Sequence, residues 1–276
     1  MRLALRFTLL TAVFLAIVYL VLKAPIDDRL DQYGVGSYIK DKVFTSAKGA
    51  ALDYLPPLPG TTGDKIIVMA KLEADDTRWV TEELADWQSA VYTVNPSTED
   101  PDTLKTPANK GREAMAYLTY IIDNYSDLPG TIAFLHSHRD GFFSSWHTDT
   151  PSHNNVDAMR TLNLSFVEEN GYVNLRCKRS PGCLEAQTHN AHVTPEVYLE
   201  VFRGTSTQIN ETAQAPALVG AACCAQFAVT SEQVHKRPRE DYDTLRRWLL
   251  QTDEKDAKSG RVMEFLWHII FGKEAV

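Results

Sequence analysis

Apolar residues are distributed along this chain in two ways. Residues 7–22, FTLLTAVFLAIVYLVL, form one run without a charge, between Arg2 and Arg6 on one side and Lys23 on the other. From residue 64 onward they come instead in short blocks separated by polar turns. KIIVMA (65–70) reads as a strand buried on both faces, and SAVYTV (89–94) as the next strand. Between them, Asp75 or Asp76 is placed to cap a helix ending near Ala85. Ala114, Met115, Leu118, Ile121, Ile122 and Tyr125 recur at threes and fours, which predicts a helix from Lys110 to Tyr125. Leu128-Pro-Gly then turns the chain into a third strand, TIAFLH, over 131–136. Strands alternating with helices predict an α/β fold: a mostly parallel, Rossmann-like sheet flanked by helices.

The second half is less regular. YVNL (172–175) and AQFAVT (225–230) read as strands. Thr230-Ser-Glu-Gln233 is a capping box, so a helix starts there, breaks at Pro238 and resumes through Tyr242, Leu245 and Leu249. GRVMEFLWHIIFG (260–272) is a very apolar helix ended by Gly272.

The N-terminal run spans roughly 24 Å as a helix, close to the thickness of an early-secretory bilayer. Basic residues precede it, Asp27 and Asp28 follow it, and no small-residue cleavage site comes after it. The positive-inside bias therefore predicts a single-pass type II signal anchor over 1–23, with a cleaved signal peptide and secretion as the alternative. Residues 24–63 read as a stem ending in LPPLPGTTG, and 64–276 as a lumenal globular domain facing the ER or Golgi interior. Three sequons agree with that compartment, at Asn124, Asn163 and Asn210. Of the four cysteines, Cys177 and Cys183 could close a small loop, or each could reach one of Cys223 and Cys224. A four-thiolate zinc site is the rival, although its usual C-x-x-C spacing is absent. A net charge of −8 argues against a nucleic-acid partner.

Four groups of residues point to chemistry. The first is the start of the 110–125 helix: Asn109, Lys110, Gly111, Arg112 and Glu113 would present backbone N–H groups and two cations to an anion such as a diphosphate. The second is the polar end of strand 131–136, where His136, His138, Arg139 and Asp140 follow an apolar run. At i and i+2 the two imidazoles share a side, so His136, His138 and Asp140, with His147 nearby, could hold a divalent metal ion. The third is Glu264 with His268, four residues apart in an apolar helix, where a carboxylate is suited to acid or base work. The fourth is Glu73 with Asp75 and Asp76, at the carboxyl end of the first strand, where a ribose or base would sit.

Three long blocks carry a resemblance: PANKGREAMAYLTYIIDNYSDLPGTIAFLHSHRDG, CCAQFAVTSEQVHKRPREDYDTLRRWLLQTD and GRVMEFLWHIIFG. Over about residues 64–272 the chain resembles a fungal membrane-anchored family of unknown function. More distantly it is similar to glycosyltransferase-like proteins of the GT-A type. That similarity rests on an N-x-G-R-E helix start, a strand ending in a polar motif and a late Q-F-x-V strand. It implies a GT-A-like sheet, a nucleotide-sugar donor and a hydroxyl acceptor. Asn109, Gly111, Arg112 and Glu113 would then meet the donor, and Glu264 would be the base. His136, His138 and Asp140 stand where such enzymes keep a D-x-D motif, which this chain lacks. The alternatives are a metal-dependent hydrolase or oxidase built on the histidines, and a non-catalytic lumenal protein.

Overall fold

The computed structural model describes residues 64–97, 101–145, 148–176, 192–206 and 214–275, with Thr11, Phe14, Val18, Tyr19 and Lys23. Apart from those five residues, the expected anchor (1–23) and stem (24–63) lie outside the described residues. Among the described residues no helix is long and apolar enough to cross a membrane.

The central strand β1 (Lys65–Lys71) pairs in parallel with β2 (Gln88–Thr93) and, on its other side, with β3 (Thr131–His136). Two further strands, β4 (Tyr172–Asn174) and β5 (Phe227–Thr230), complete a sheet of order β2-β1-β3-β5-β4. Strand β5 is antiparallel to both β3 and β4, so the sheet is mixed. The expectation of a mostly parallel sheet holds only for β1–β3. The physical reason is that FAVT is buried along its whole length, a pattern that says nothing about direction.

Strand periodicity explains the layers. Ile66 and Val68 of β1 and Ile132 and Phe134 of β3 enter one core, while Ile67, Met69, Ala133 and Leu135 enter another on the opposite face. The second core is covered by α1 (Arg78–Glu83) through Trp79 and Val80, joined by Leu84 and Trp87. The first is covered by α2 (Glu113–Asp123), whose residues 114–122 are all buried.

Helices α3 (Asn155–Arg160), α4 (Leu164–Asn170) and α5 (Pro195–Val201) were not expected from periodicity. They are too short to show two turns of it, but each begins at a side-chain cap: Asn154, Asn163 and Thr194. The box at Thr230 opens α6 (Ser231–His235), with Thr230 Oγ1 accepting from the Gln233 N–H at 3.1 Å. The reciprocal half is missing: the Thr230 N–H donates to the Gly171 carbonyl at 2.8 Å, and Gln233 Oε1 accepts from Lys236. Pro238 caps α7 (Arg239–Gln251), as its missing N–H requires. The last helix, α8 (Asp256–Ile270), begins four residues earlier than the apolar pattern indicates and stops before Gly272, whose φ is +73°.

Candidate functional site

The same alternation sorts the residues that follow β3. His136 continues the even-numbered side, which faces α2 and α8, and His138 follows two residues later. Both line a cleft of about 450 Å³ at the carboxyl ends of the parallel strands. That volume is within the 300–1,000 Å³ of small-molecule sites. Its other walls include Lys71, Asp75, Asn109, Arg112, Glu113, Ser137 and Asp256. A larger hollow of about 580 Å³ lies at the opposite end of the sheet, beside Asp64, Glu168 and Glu232. Its lysine, Lys65, is already paired with Asp86 at 2.5 Å, so that hollow offers an anionic ligand little.

Arg139 falls on the odd side and leaves the cleft. Its guanidinium forms two bonds to Glu83 of α1, at 2.6 and 2.7 Å, and a further one to Asp140. Asp140 is therefore turned toward Arg139 and does not line the cleft with the histidines. Among the described residues, only Cys223, Cys224 and Glu264 bring three His, Cys, Asp or Glu ligand atoms within 4.8 Å of one another. His147 lies outside the described residues.

The mouth of α2 is built from strained backbone. Gly111 has φ +73°, and Arg112, the N-cap residue, has φ +53°, which is uncommon for a side chain of that size. Asp256 of α8 accepts the Arg112 N–H at 3.2 Å. The Arg112 stem crosses the face of Gly260, where an added Cβ would lie 2.9 Å from Cγ and 3.0 Å from Cδ. The guanidinium itself has no ion-pair partner among the described residues. Gly260→Ala is expected to displace the Arg112 side chain while the core stays intact. A crystal structure of the variant would show the shift, and an unmoved Arg112 would show that Gly260 does not set the arginine's position.

Lys110, by contrast, donates to the Thr252 carbonyl and ties the α7–α8 connection to this loop. Glu73 lies beside the cleft but accepts from the Ser97 N–H and hydroxyl, bracing the loop after β2. Asp76 pairs with the exposed Arg78 and takes its N–H, which serves the start of α1. Asp75 accepts from Ser137 Oγ at 2.9 Å and from the Leu72 N–H at 3.0 Å, both at Oδ2.

Behind the cleft, Glu264 is buried. Its carboxylate accepts from Arg261 at 2.7 and 2.8 Å and from the Cys224 N–H at 2.7 Å. His268 does not accompany it: its ring faces the Ala275 carbonyl at 3.2 Å, and its Nδ1 is buried without a hydrogen-bond partner among the described residues. Cys224 and Ala225 have φ +88° and +46°. Of the four non-glycine residues with positive φ among the described residues, Arg112 lines the cleft, and such strain gathers at functional sites.

The Cys224 backbone also hydrogen-bonds the His136 imidazole, but burial outweighs this and holds the ring's pKa down at about 4. Glu113 has the opposite displacement. Burial, with some repulsion from Glu264, raises its carboxyl to about 7. Cys223 and Cys224 have their sulfurs in contact, with Cα atoms 3.7 Å apart. That is closer than the roughly 4.4–6.8 Å usual for disulfides, so we read them as adjacent thiols. Cys177 and Cys183 lie outside the described residues.

A family model described as "Protein of unknown function (DUF3431)" matches residues 67–276. The chain belongs to this family. No curated protein and no solved structure matches it. The DUF3431 segment contains every residue that lines the cleft and begins inside β1, leaving the expected anchor and stem outside it.

Within this DUF3431 domain, a set of buried polar residues that sequence reading missed fixes the cleft's polar rim. Gln226 accepts the His136 N–H at 3.0 Å and donates to Thr148. Thr148 donates to Asn155, whose amide donates to the His138 carbonyl at 2.7 Å. Gln226 directly precedes β5 in the Q-F-x-V motif, and that placement was the available signal. Of the sequons, Asn163 is exposed at the start of α4. Asn124 is half-buried with its amide donating to Tyr120, and Asn210 lies outside the described residues.

Proposed function

We propose that this protein is a glycosyltransferase-like enzyme that binds a sugar nucleotide in the cleft above β1–β3 and transfers the sugar to an acceptor hydroxyl. The observation that carries this reading is the Arg112 guanidinium at the mouth of α2, which has no ion-pair partner among the described residues and shares one cleft with Lys71, Asn109, Asp75 and His138. An arginine presents a fork of donors suited to phosphate oxygens, and the helix start adds a favourable dipole. Asp75 Oδ1, which makes neither of the bonds that hold its neighbour oxygen, suits a ribose hydroxyl. In this reading Arg112 and Lys71 stabilise the departing diphosphate, a role that metal ions fill in D-x-D enzymes. Membrane anchoring and a lumenal location remain part of the proposal, supported by the N-terminal run and its charges.

The histidine-metal alternative draws less support, because Asp140 is engaged by Arg139. A thermal-shift series on the full-length chain tests the choice, using UDP-glucose, UDP-N-acetylglucosamine, UDP-galactose and GDP-mannose, each with manganese or with EDTA. A donor held at a hundred times its Kd should stabilise the fold by about 2.7 kcal/mol. Arg112→Ala should abolish that stabilisation. If no sugar nucleotide shifts the transition, the reading fails. Stabilisation by zinc or manganese alone would favour the alternative.

A further inference from the structure

We propose that Glu113 is the catalytic base of this site, and that Glu264, with Arg261 and the Cys224 N–H, is a positioning group behind it. This rests on the glycosyl-transfer reading and changes which carboxylate does the chemistry.

The two carboxylates differ in what they already bind. A base must be open to the cleft and must have a lone pair free to take a proton. Glu264 fails on both counts. It is buried, it does not line the cleft, and its two oxygens accept three bonds from Arg261 and Cys224. A carboxylate so held by a guanidinium is a poor proton acceptor, since protonation would break its ion pair. Glu113 meets both conditions. It lines the cleft between Arg112 and His136, is only partly covered, and pairs with no cation among the described residues. Its position is fixed because it is the first residue of α2, directly after the strained Arg112.

The other carboxylates of the cleft are less suited. Asp75 is fixed through Oδ2 by Ser137 and the Leu72 N–H and in this reading gives Oδ1 to the ribose, and Asp256 accepts the Arg112 N–H. The neighbouring His136 is kept neutral by burial, so it does not compete as a cation. Burial near Glu264 also gives Glu113 an affinity for protons matched to neutral pH, where a general base is most effective.

The step balances without an external reagent. The acceptor O–H gives its proton to a Glu113 oxygen as the acceptor oxygen bonds to the anomeric carbon. The bond from that carbon to the diphosphate oxygen breaks, and its electron pair leaves on the diphosphate beside Arg112. Glu113 then returns the proton to solvent.

Release of UDP from UDP-glucose and UDP-galactose by the full-length chain tests this, with water, monosaccharides and alkyl glycosides as acceptors. Wild-type turnover should rise with pH through about 7, as Glu113 ionises. Glu113→Gln should lose turnover by about 10²–10⁴-fold and lose that pH dependence, yet keep its thermal shift with the same nucleotides. Glu264→Gln should move the rising limb to lower pH without removing it, since it deletes a neighbouring negative charge. One result overturns the assignment alone: a Glu113→Gln chain that turns over with the limb intact. A wild-type chain that binds the nucleotides and releases no UDP overturns the assignment and the transfer step together, and one that binds none of them overturns the whole transferase reading.

Discussion

Phe227→Ala is expected to destabilise the protein by about 3–5 kcal/mol, a large part of the ~5–15 kcal/mol that holds a typical domain together. Phe227 is fully buried at the point where the sheet meets α2 and α8. Its ring centroid lies 4.8 Å from that of Phe134, 5.3 Å from Trp267, 5.4 Å from Tyr172, 5.5 Å from Phe271 and 5.9 Å from Tyr117. Five rings from β3, β4, α2, α8 and the residue after α8 would face the resulting hole, and rings held by several elements cannot collapse into it easily. Urea unfolding should show a lower midpoint with a similar slope. A loss below about 1 kcal/mol would mean that these rings repack freely, and that the core is less fixed than the ring geometry implies. A milder change, Phe227→Leu, should recover much of the loss by filling the space with an aliphatic side chain.

The same cluster shows what could be read in advance. Helix α2 was legible because eleven residues cover three turns, enough for its apolar stripe to repeat. Strands β1–β3 were legible because each is a short apolar block bounded by turn residues. The antiparallel pairing of β5 with β3 and β4 was not. A strand buried on both faces carries no alternation, and its neighbour in the sheet is chosen by contacts distant in sequence. The short helices α3–α5 had only their caps to announce them.

At the site, His136 and His138 both line the cleft, as does Ser137 between them. Periodicity could not foresee that Arg139, one residue out of phase, would find Glu83 of α1 and take Asp140 with it. Lys110 and Arg112 are near neighbours of one type in the sequence. The backbone at Gly111 and Arg112 separates them, sending one to Thr252 and leaving the other in the cleft. Glu264, by contrast, lies buried behind the cleft that His136 and Arg112 line. Which carboxylate meets the solvent depends on Arg261, three residues before Glu264, and only the packed helix shows that pairing.

Glu113 and His136 should oppose each other in the pH dependence of stability, and single variants should expose each one. The Glu113 carboxyl is raised from 4.5 to about 7 by burial and by Glu264. Between those values the folded state holds a proton that the unfolded state has lost, so stability falls as pH rises. The His136 imidazole is lowered from 6.5 to about 4 by burial, with His138, Arg112 and Arg261 adding repulsion. Between those values the unfolded state holds the extra proton, so stability falls as pH drops. Each displacement corresponds to about 3 kcal/mol, and the two windows overlap with opposite slopes. Wild-type protein should therefore show little net dependence from this pair between about pH 4.5 and 6.5. Relative to wild type, Glu113→Gln should gain almost nothing at pH 4.5 and about 3 kcal/mol by pH 7.5. His136→Asn should behave inversely, with its relative gain appearing as pH falls from about 6.5 to 4. Differences between variant and wild type cancel the unchanged contributions of Asp256, Arg112 and His138, which line the same cleft, and of Glu264 and Arg261 behind it. Urea unfolding across pH 4–8 measures them directly. Difference curves that stay flat would mean that the cleft floor is wetter than its packing indicates, and Glu113 would then lack the proton affinity that suits it to act as the base.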